Sequence, residues 1–172
     1  MGTRRKSREL AMQALFCMDT LKNESDELLE GLSGMLELAP DINRFYMTLI
    51  KGVIDNKAQI DKRIEQFSSN WKINRMGCVD RNILRIAAYE ILYCHDIPPK
   101  VSINEAVDIG KLYGTEESGS FINGILDGIY QQQAAKNTKN ENNLSCHHNL
   151  QIRFQIPIQI VLRFGRCLLS AI

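Results

Sequence analysis

Asp80–Cys94, Asp-Arg-Asn-Ile-Leu-Arg-Ile-Ala-Ala-Tyr-Glu-Ile-Leu-Tyr-Cys, decides the fold. Its fifteen residues contain neither Gly nor Pro, and Ile83, Leu84, Ile86, Ala87, Ala88, Ile91 and Leu92 cover most of its circumference. A segment of that length and pattern is a helix, and one apolar nearly all round is central. Pro98 and Pro99 end it.

Outward from this helix the same periodicity repeats. Towards the C-terminus, Val101–Tyr113 is a further helix stopped by Gly114. Ser118 is placed to cap a last one, with Phe121, Ile122, Ile125, Leu126 and Ile129 facing inward. Gly124 and Gly128, four apart, would allow a close helix contact. Towards the N-terminus, Trp71–Met76 is a short turn or helix after the polar junction Ser68–Asn70. Ile60, Ile64 and Phe67 mark a short helix, and Ile42, Phe45, Tyr46, Leu49, Ile50, Val53 and Ile54 form the clearest stripe, with Asp41 as its cap. Ser25 caps a helix carrying Leu28, Leu29, Leu32, Met35 and Leu36, weakened by Gly31 and Gly34 and broken by Pro40. Leu10, Ala11, Ala14, Leu15, Met18 and Leu21 make the first stripe. The expectation is an all-α bundle of about seven helices over residues 1–133, in two three-helix-like subbundles that meet at Ser68–Asn70.

Residues 134–149 are rich in Asn and Lys and read as a flexible linker. In residues 150–172, Ile152, Phe154, Ile156, Ile158, Ile160 and Leu162 alternate as in a strand, with Pro157 limiting it to an edge. Arg153, Arg163 and Arg166 argue against a membrane span there.

The formal net charge of the 172 residues is +1. It conceals a basic start (Arg4, Arg5, Lys6 and Arg8, no acid), a body over residues 9–133 with 12 basic and 19 acidic residues, and a tail at +4. Charge gathered at one end serves a polyanion whatever the total. Five cysteines, widely spaced and without CxxC, fit buried thiols in a reducing compartment, and the acids Glu9 and Asp19 interrupt any leader-like stretch. The expected location is cytoplasmic.

No P-loop, GxGxxG, HExxH, GxSxG or paired zinc-ligand spacing is present. His95 closes the central helix, where a dipole partner is favoured over a catalytic base. Cys146-His147-His148 offers metal donors without a fourth ligand at fixed spacing. Asn104-Glu105 reads as a capping or solvated pair rather than an active site. The expectation is no catalytic residue, no metal and no cofactor.

The basic start is the feature with chemistry. Arginine offers a fork to phosphate and a flat face to bases. Arg4 and Arg8 share a face if helical, and Gln13 and Phe16 lie further along the helix. An aromatic beside arginines suits an unpaired RNA strand, although Phe16 read alone is more often a packing residue than a base platform.

Several longer matches lie in one order. They are Arg4-Arg5-Lys6-Ser7-Arg8-Glu9 with Ala11, Gln13-Ala14-Leu15-Phe16, Val79 to Glu90, Ile103-Asn104-Glu105-Ala106-Val107, and Phe121 to Asp127. Together they resemble the NusB family of transcription antitermination factors, from about Arg4 to Tyr130. The resemblance implies the same all-α fold and no catalysis. It implies binding of boxA RNA in ribosomal RNA transcripts together with NusE, a ribosomal small-subunit protein, and joining of RNA polymerase and other Nus factors. It carries RNA contact onto Arg4, Arg5, Lys6, Arg8, Gln13, Phe16 and Phe121, and contact with NusE onto Asp80 and Arg85. Lys6 stands where arginine is common, and Phe16 where tyrosine is usual. Self-association, masking the RNA face, is a further implied state. Two other readings stay open: a protein-interaction module that does not touch RNA, and an accessory domain of the kind fused to RNA cytosine methyltransferases.

Overall fold

Seven α-helices and one 3-10 turn make up the computed structural model, which describes residues 2–69 and 71–148, with side-chain surroundings through 136. The elements are α1 (Thr3–Leu21), α2 (Asp26–Met35), α3 (Pro40–Asp55), α4 (Lys57–Phe67), the turn Ile73–Arg75, α5 (Cys78–Tyr93), α6 (Pro99–Tyr113) and α7 (Ser118–His148). No strand occurs among the described residues. The chain divides into two compact units, residues 1–134 and 135–172.

In the first unit α1 packs on α2 and α3, and α5 packs on α6 while also touching α1, α3 and α4. The all-α bundle in two groups is therefore observed, with α5 as the element that joins them. Its near-continuous apolar surface explains the role: Asn82 to Ala88 are all buried, as are Glu90 and Ile91. The core around it contains Leu15, Met18, Tyr46, Leu49, Ile50, Ile60, Ile64, Ile122, Leu126 and Ile129.

Two glycines set how closely helices approach. A Cβ on Gly52 of α3 would lie 2.0 Å from the Tyr89 ring of α5, and one on Gly128 of α7 would lie 2.4 Å from the Phe67 ring of α4. Gly124 faces open space, so only one member of the glycine pair makes the expected contact.

Local expectations differ at several points. The Ser25 hydroxyl accepts from the Leu28 amide as expected of a cap, but Asp41 does not cap α3. That helix starts at Pro40, whose fixed φ suits a first helical position, after Ala39. Ser118 begins α7 rather than preceding it, and its hydroxyl accepts from the Thr115 amide. Leu21 and Met35 end their stripes exposed, at 58% and 83%. The stretch read as a linker from residue 134 is helical through His148. Between Ile129 and His148 there is no Gly or Pro to stop a helix. The alternating segment 150–172 lies outside the described residues.

Candidate nucleic-acid interface

Helix α1 carries the basic residues in its first two turns. Gly2 precedes it in extended conformation and no side chain caps it. Cationic side chains oppose the positive end of a helix dipole. Here neighbouring elements answer them with acids.

Arg4 is exposed, and its Nη2 lies 3.3 Å from Asp96 Oδ2 in the turn after α5. Arg5 is half-buried and donates from Nη1 to Asp108 Oδ2 of α6 at 3.1 Å, with Glu105 and Glu9 at 3.9 and 3.7 Å. The hydrogen bond to Asp108, above all, raises the Arg5 guanidinium further from neutrality. Lys6 is exposed.

Arg8 is different. Its side chain is 5% exposed, and its Nε and Nη2 donate to the two oxygens of Glu90 at 2.7 and 3.0 Å. The Ser102 hydroxyl of α6 donates to the same carboxylate, and Glu105 lies 3.7 Å from the Arg8 Nη1. The guanidinia of Arg4 and Arg8 both lie over the Phe45 ring of α3, at 5.3 and 5.4 Å. The two arginines do share a face, with Arg4 exposed at its end and Arg8 buried one turn on. Arg8 also lines an open groove beside α1, but with Nε and Nη2 committed to Glu90 only Nη1, 3.7 Å from Glu105, is left without a hydrogen bond.

Gln13 is exposed, and Phe16 is 41% exposed on the same helix. Arg4, Lys6, Gln13 and Phe16 are thus exposed on α1, together with Thr3, Thr20 and Leu21, and Arg5 is partly exposed. The open groove beside α1 is lined by Gly2, Arg4, Arg5, Pro98, Val101 and Leu112 among others.

The second cluster forms elsewhere. Asp80 and Phe121, assigned to partner and RNA respectively, line one cleft of about 280 Å³ with Trp71, Glu117 and Ser118. Trp71 is 55% exposed. The Oδ1 atom of Asp80 is shielded from solvent and has no hydrogen-bond donor. A shielded carboxylate oxygen without a donor is costly unless something supplies one.

Arg85 does not belong with Asp80. It is buried, donates from Nε and Nη2 to the Asp61 carboxylate of α4 at 2.8 Å each, and reaches Asp19 of α1 at 3.0 Å. Arg81 and Asn82 also donate to Asp19 Oδ2, Arg81 at 2.9 Å from Nη2 and Asn82 at 3.1 Å. Burial works to raise the Asp19 carboxyl, but Arg85 first, then Arg81 and Asn82, hold it below the usual carboxylate range. The expectation of Arg85 as a partner contact is corrected: it ties α1, α4 and α5 together.

His95 is exposed just past the α5 C-cap, and the Glu105 of the Asn104-Glu105 pair faces arginines rather than solvent alone. Among the described residues no group of three His, Cys, Asp or Glu could hold a metal; the side chains of Cys146, His147 and His148 lie outside them. No described helix is long and apolar enough to cross a membrane.

Comparison with known proteins agrees with this architecture. The model of the NusB family matches residues 5–131. Transcription antitermination protein NusB of Desulfatibacillum aliphaticivorans is 53% identical over 130 residues, 76% of this chain and 91% of that protein. Its counterpart from Myxococcus xanthus is 44% identical over 75% of this chain and 95% of its own. Among solved structures, NusB of T. maritima is 38% identical, covers 74% of this chain and 90% of that one, and superposes with a TM-score of 0.68. A complex of antitermination factors NusB and NusE with dsRNA contains a chain that is 27% identical, with TM-score 0.69 and coverage of 77% and 98%. The matched segment holds α5, the second cluster and the first from Arg5 onward, and this chain belongs to the NusB family.

Proposed function

We propose that this chain is a transcription antitermination factor that binds boxA RNA in nascent ribosomal RNA transcripts together with NusE, without catalysing a reaction. The observation that carries the reading is the α1 surface. Arg4, Arg5 and Lys6 lie at one end of it, with Gln13 and the Phe16 ring further along, in a chain whose relatives bear the antitermination name. Cations take phosphates and fix register, while a polar amide and a ring address bases. Arg8 contributes by fixing α1 against α5 and α6. RNA polymerase and other Nus factors are the wider assembly this reading implies, in the cytoplasm.

Asp80, Trp71 and Phe121 form a second surface, and NusE is the occupant this reading assigns to it. The unpaired Asp80 oxygen supports that assignment, because a donor from a protein partner would complete it.

Titration of boxA RNA with the wild type and with Arg4→Ala/Arg5→Ala tests the first surface. The double variant is expected to bind more weakly and to lose about one to two units of salt slope. Equal affinity and slope would remove the RNA role from α1. Titration into NusE with and without RNA tests the second: Asp80→Ala should weaken the NusE complex and leave binding of RNA alone unchanged.

A further inference from the structure

The basic start is not a bare cationic patch. Three of its four positive side chains, Arg4, Arg5 and Arg8, meet five carboxylates within ion-pair distance: Glu9, Glu90, Asp96, Glu105 and Asp108. Glu90 is buried and serves Arg8. Asp96 and Asp108 are different, with side chains 68% and 49% exposed, each placed on an arginine that the proposed function assigns to RNA.

We propose that Asp96 and Asp108 are affinity-setting residues that occupy the guanidinia of Arg4 and Arg5 in the free protein and are exchanged for RNA phosphates on binding. The inference rests on the reading of α1 as an RNA surface. A carboxylate and a phosphate oxygen ask the same thing of a guanidinium, so one substitutes for the other in geometry. The pairs are single hydrogen bonds at 3.3 and 3.1 Å between exposed groups, which are weak and readily broken. Once displaced, each carboxylate remains on the turn after α5 or on α6, close to the incoming phosphate, and repels it.

The cost falls on the phosphate contacts, which every RNA shares. An RNA that offers charge alone is held off. An RNA that adds contacts at Gln13 and Phe16, or that arrives with a bound partner, overcomes the cost. The repulsion lowers the affinity of every RNA alike, so it sets a threshold for binding while the contacts at Gln13 and Phe16 set the preference.

Asp96→Asn/Asp108→Asn tests this against Glu30→Gln/Glu37→Gln, an equal change in net charge at exposed residues that make no ion pair with the basic start. The probes are a single-stranded boxA RNA and an unrelated single-stranded RNA of the same length, each titrated at several salt concentrations. The Asp96/Asp108 variant is expected to bind both RNAs about three- to tenfold more tightly at low salt. Its salt slope should steepen by about one to two, because uncovered arginines release more counterions. Unchanged or weaker binding overturns the proposal, and so does an equal gain in the Glu30/Glu37 variant. Arg4→Ala/Arg5→Ala in the same titrations separates the two levels. If that variant loses affinity while Asp96→Asn/Asp108→Asn matches wild type, the α1 surface stands and the acid exchange falls. If it binds as wild type, both fall.

Discussion

Arg8 and Glu90, 82 residues apart in the chain, form a two-bond ion pair in the interior, with side chains 5% and 0% exposed. A buried pair of this kind is costly to break from one side, because the remaining charge keeps its desolvation penalty. Arg8→Ala is therefore expected to lower unfolding stability by about 3–5 kcal/mol. Arg4→Ala, at an exposed pair, should cost less than about 1 kcal/mol. Urea unfolding monitored by helical circular dichroism compares the two. Similar losses would show that the interior pair is not the fastening it is taken to be.

Asp19 predicts an acid-sensitive link between α1 and α5. Its folded carboxyl is held below the usual range, so its stabilisation is complete above about pH 4 and is lost as pH falls through the lowered folded value. Asp19→Asn should cost about 2–3 kcal/mol at pH 7. It should also flatten the fall in stability below about pH 4 relative to wild type. Unfolding midpoints across that range are the measurement. A variant curve parallel to wild type would contradict the assigned role.

The Gly52–Tyr89 contact is expected to show coupling. Gly52→Ala places a methyl against the Tyr89 ring and should destabilise by about 1–3 kcal/mol. In a Tyr89→Ala background the same change should cost clearly less, since the obstruction is gone. Gly124→Ala, facing open space, should be neutral or stabilising by about 0.5–1 kcal/mol. Additive costs for Gly52 and Tyr89 would refute the contact.

Cys94 should resist alkylation. Burial, then the nearby Glu90 and Asp96 carboxylates, push its thiol up to about 11. Only the thiolate reacts, so iodoacetamide at pH 8 should label Cys94 about two orders of magnitude more slowly than a free cysteine thiol. Peptide mass spectrometry over time reads the rate. Labelling of Cys94 at the rate of a free thiol would be inconsistent with this environment.

The helices were legible because their signals are local. Seven apolar positions in fifteen residues mark α5 as central, and Ser25 and Gly114 mark helix ends, whatever lies elsewhere. The α1 surface was half legible. Arg4, Lys6, Gln13 and Phe16 are exposed, while Arg8, which the spacing put on the face of Arg4, is buried. The fate of Arg8 and Arg85 was not legible, because each is decided by a carboxylate on another helix: Glu90, 82 residues later, and Asp61, 24 residues earlier. A charged residue in a helix has the same local signature whether it meets water or a buried partner. The acids facing Arg4 and Arg5 were missed for the same reason, at separations of 92 and 103 residues. The helix beyond residue 134 was missed because a polar composition was given more weight than the absence of Gly and Pro.

The pairing of Arg5 with Asp108 and of Arg8 with Glu90 also fixes an order of events during synthesis. Residues 4–8 are made well before α5 and α6, which carry the groups that cover them, 82 and 103 residues later for Glu90 and Asp108. Throughout that interval Arg4, Arg5 and Arg8 lack their acids, in a setting crowded with RNA. Closure of the interior pair must bring α1 across most of the unit, a long-range step that local helix formation cannot replace. The basic segment of α1 therefore reaches its final electrostatic environment only once α6 is in place.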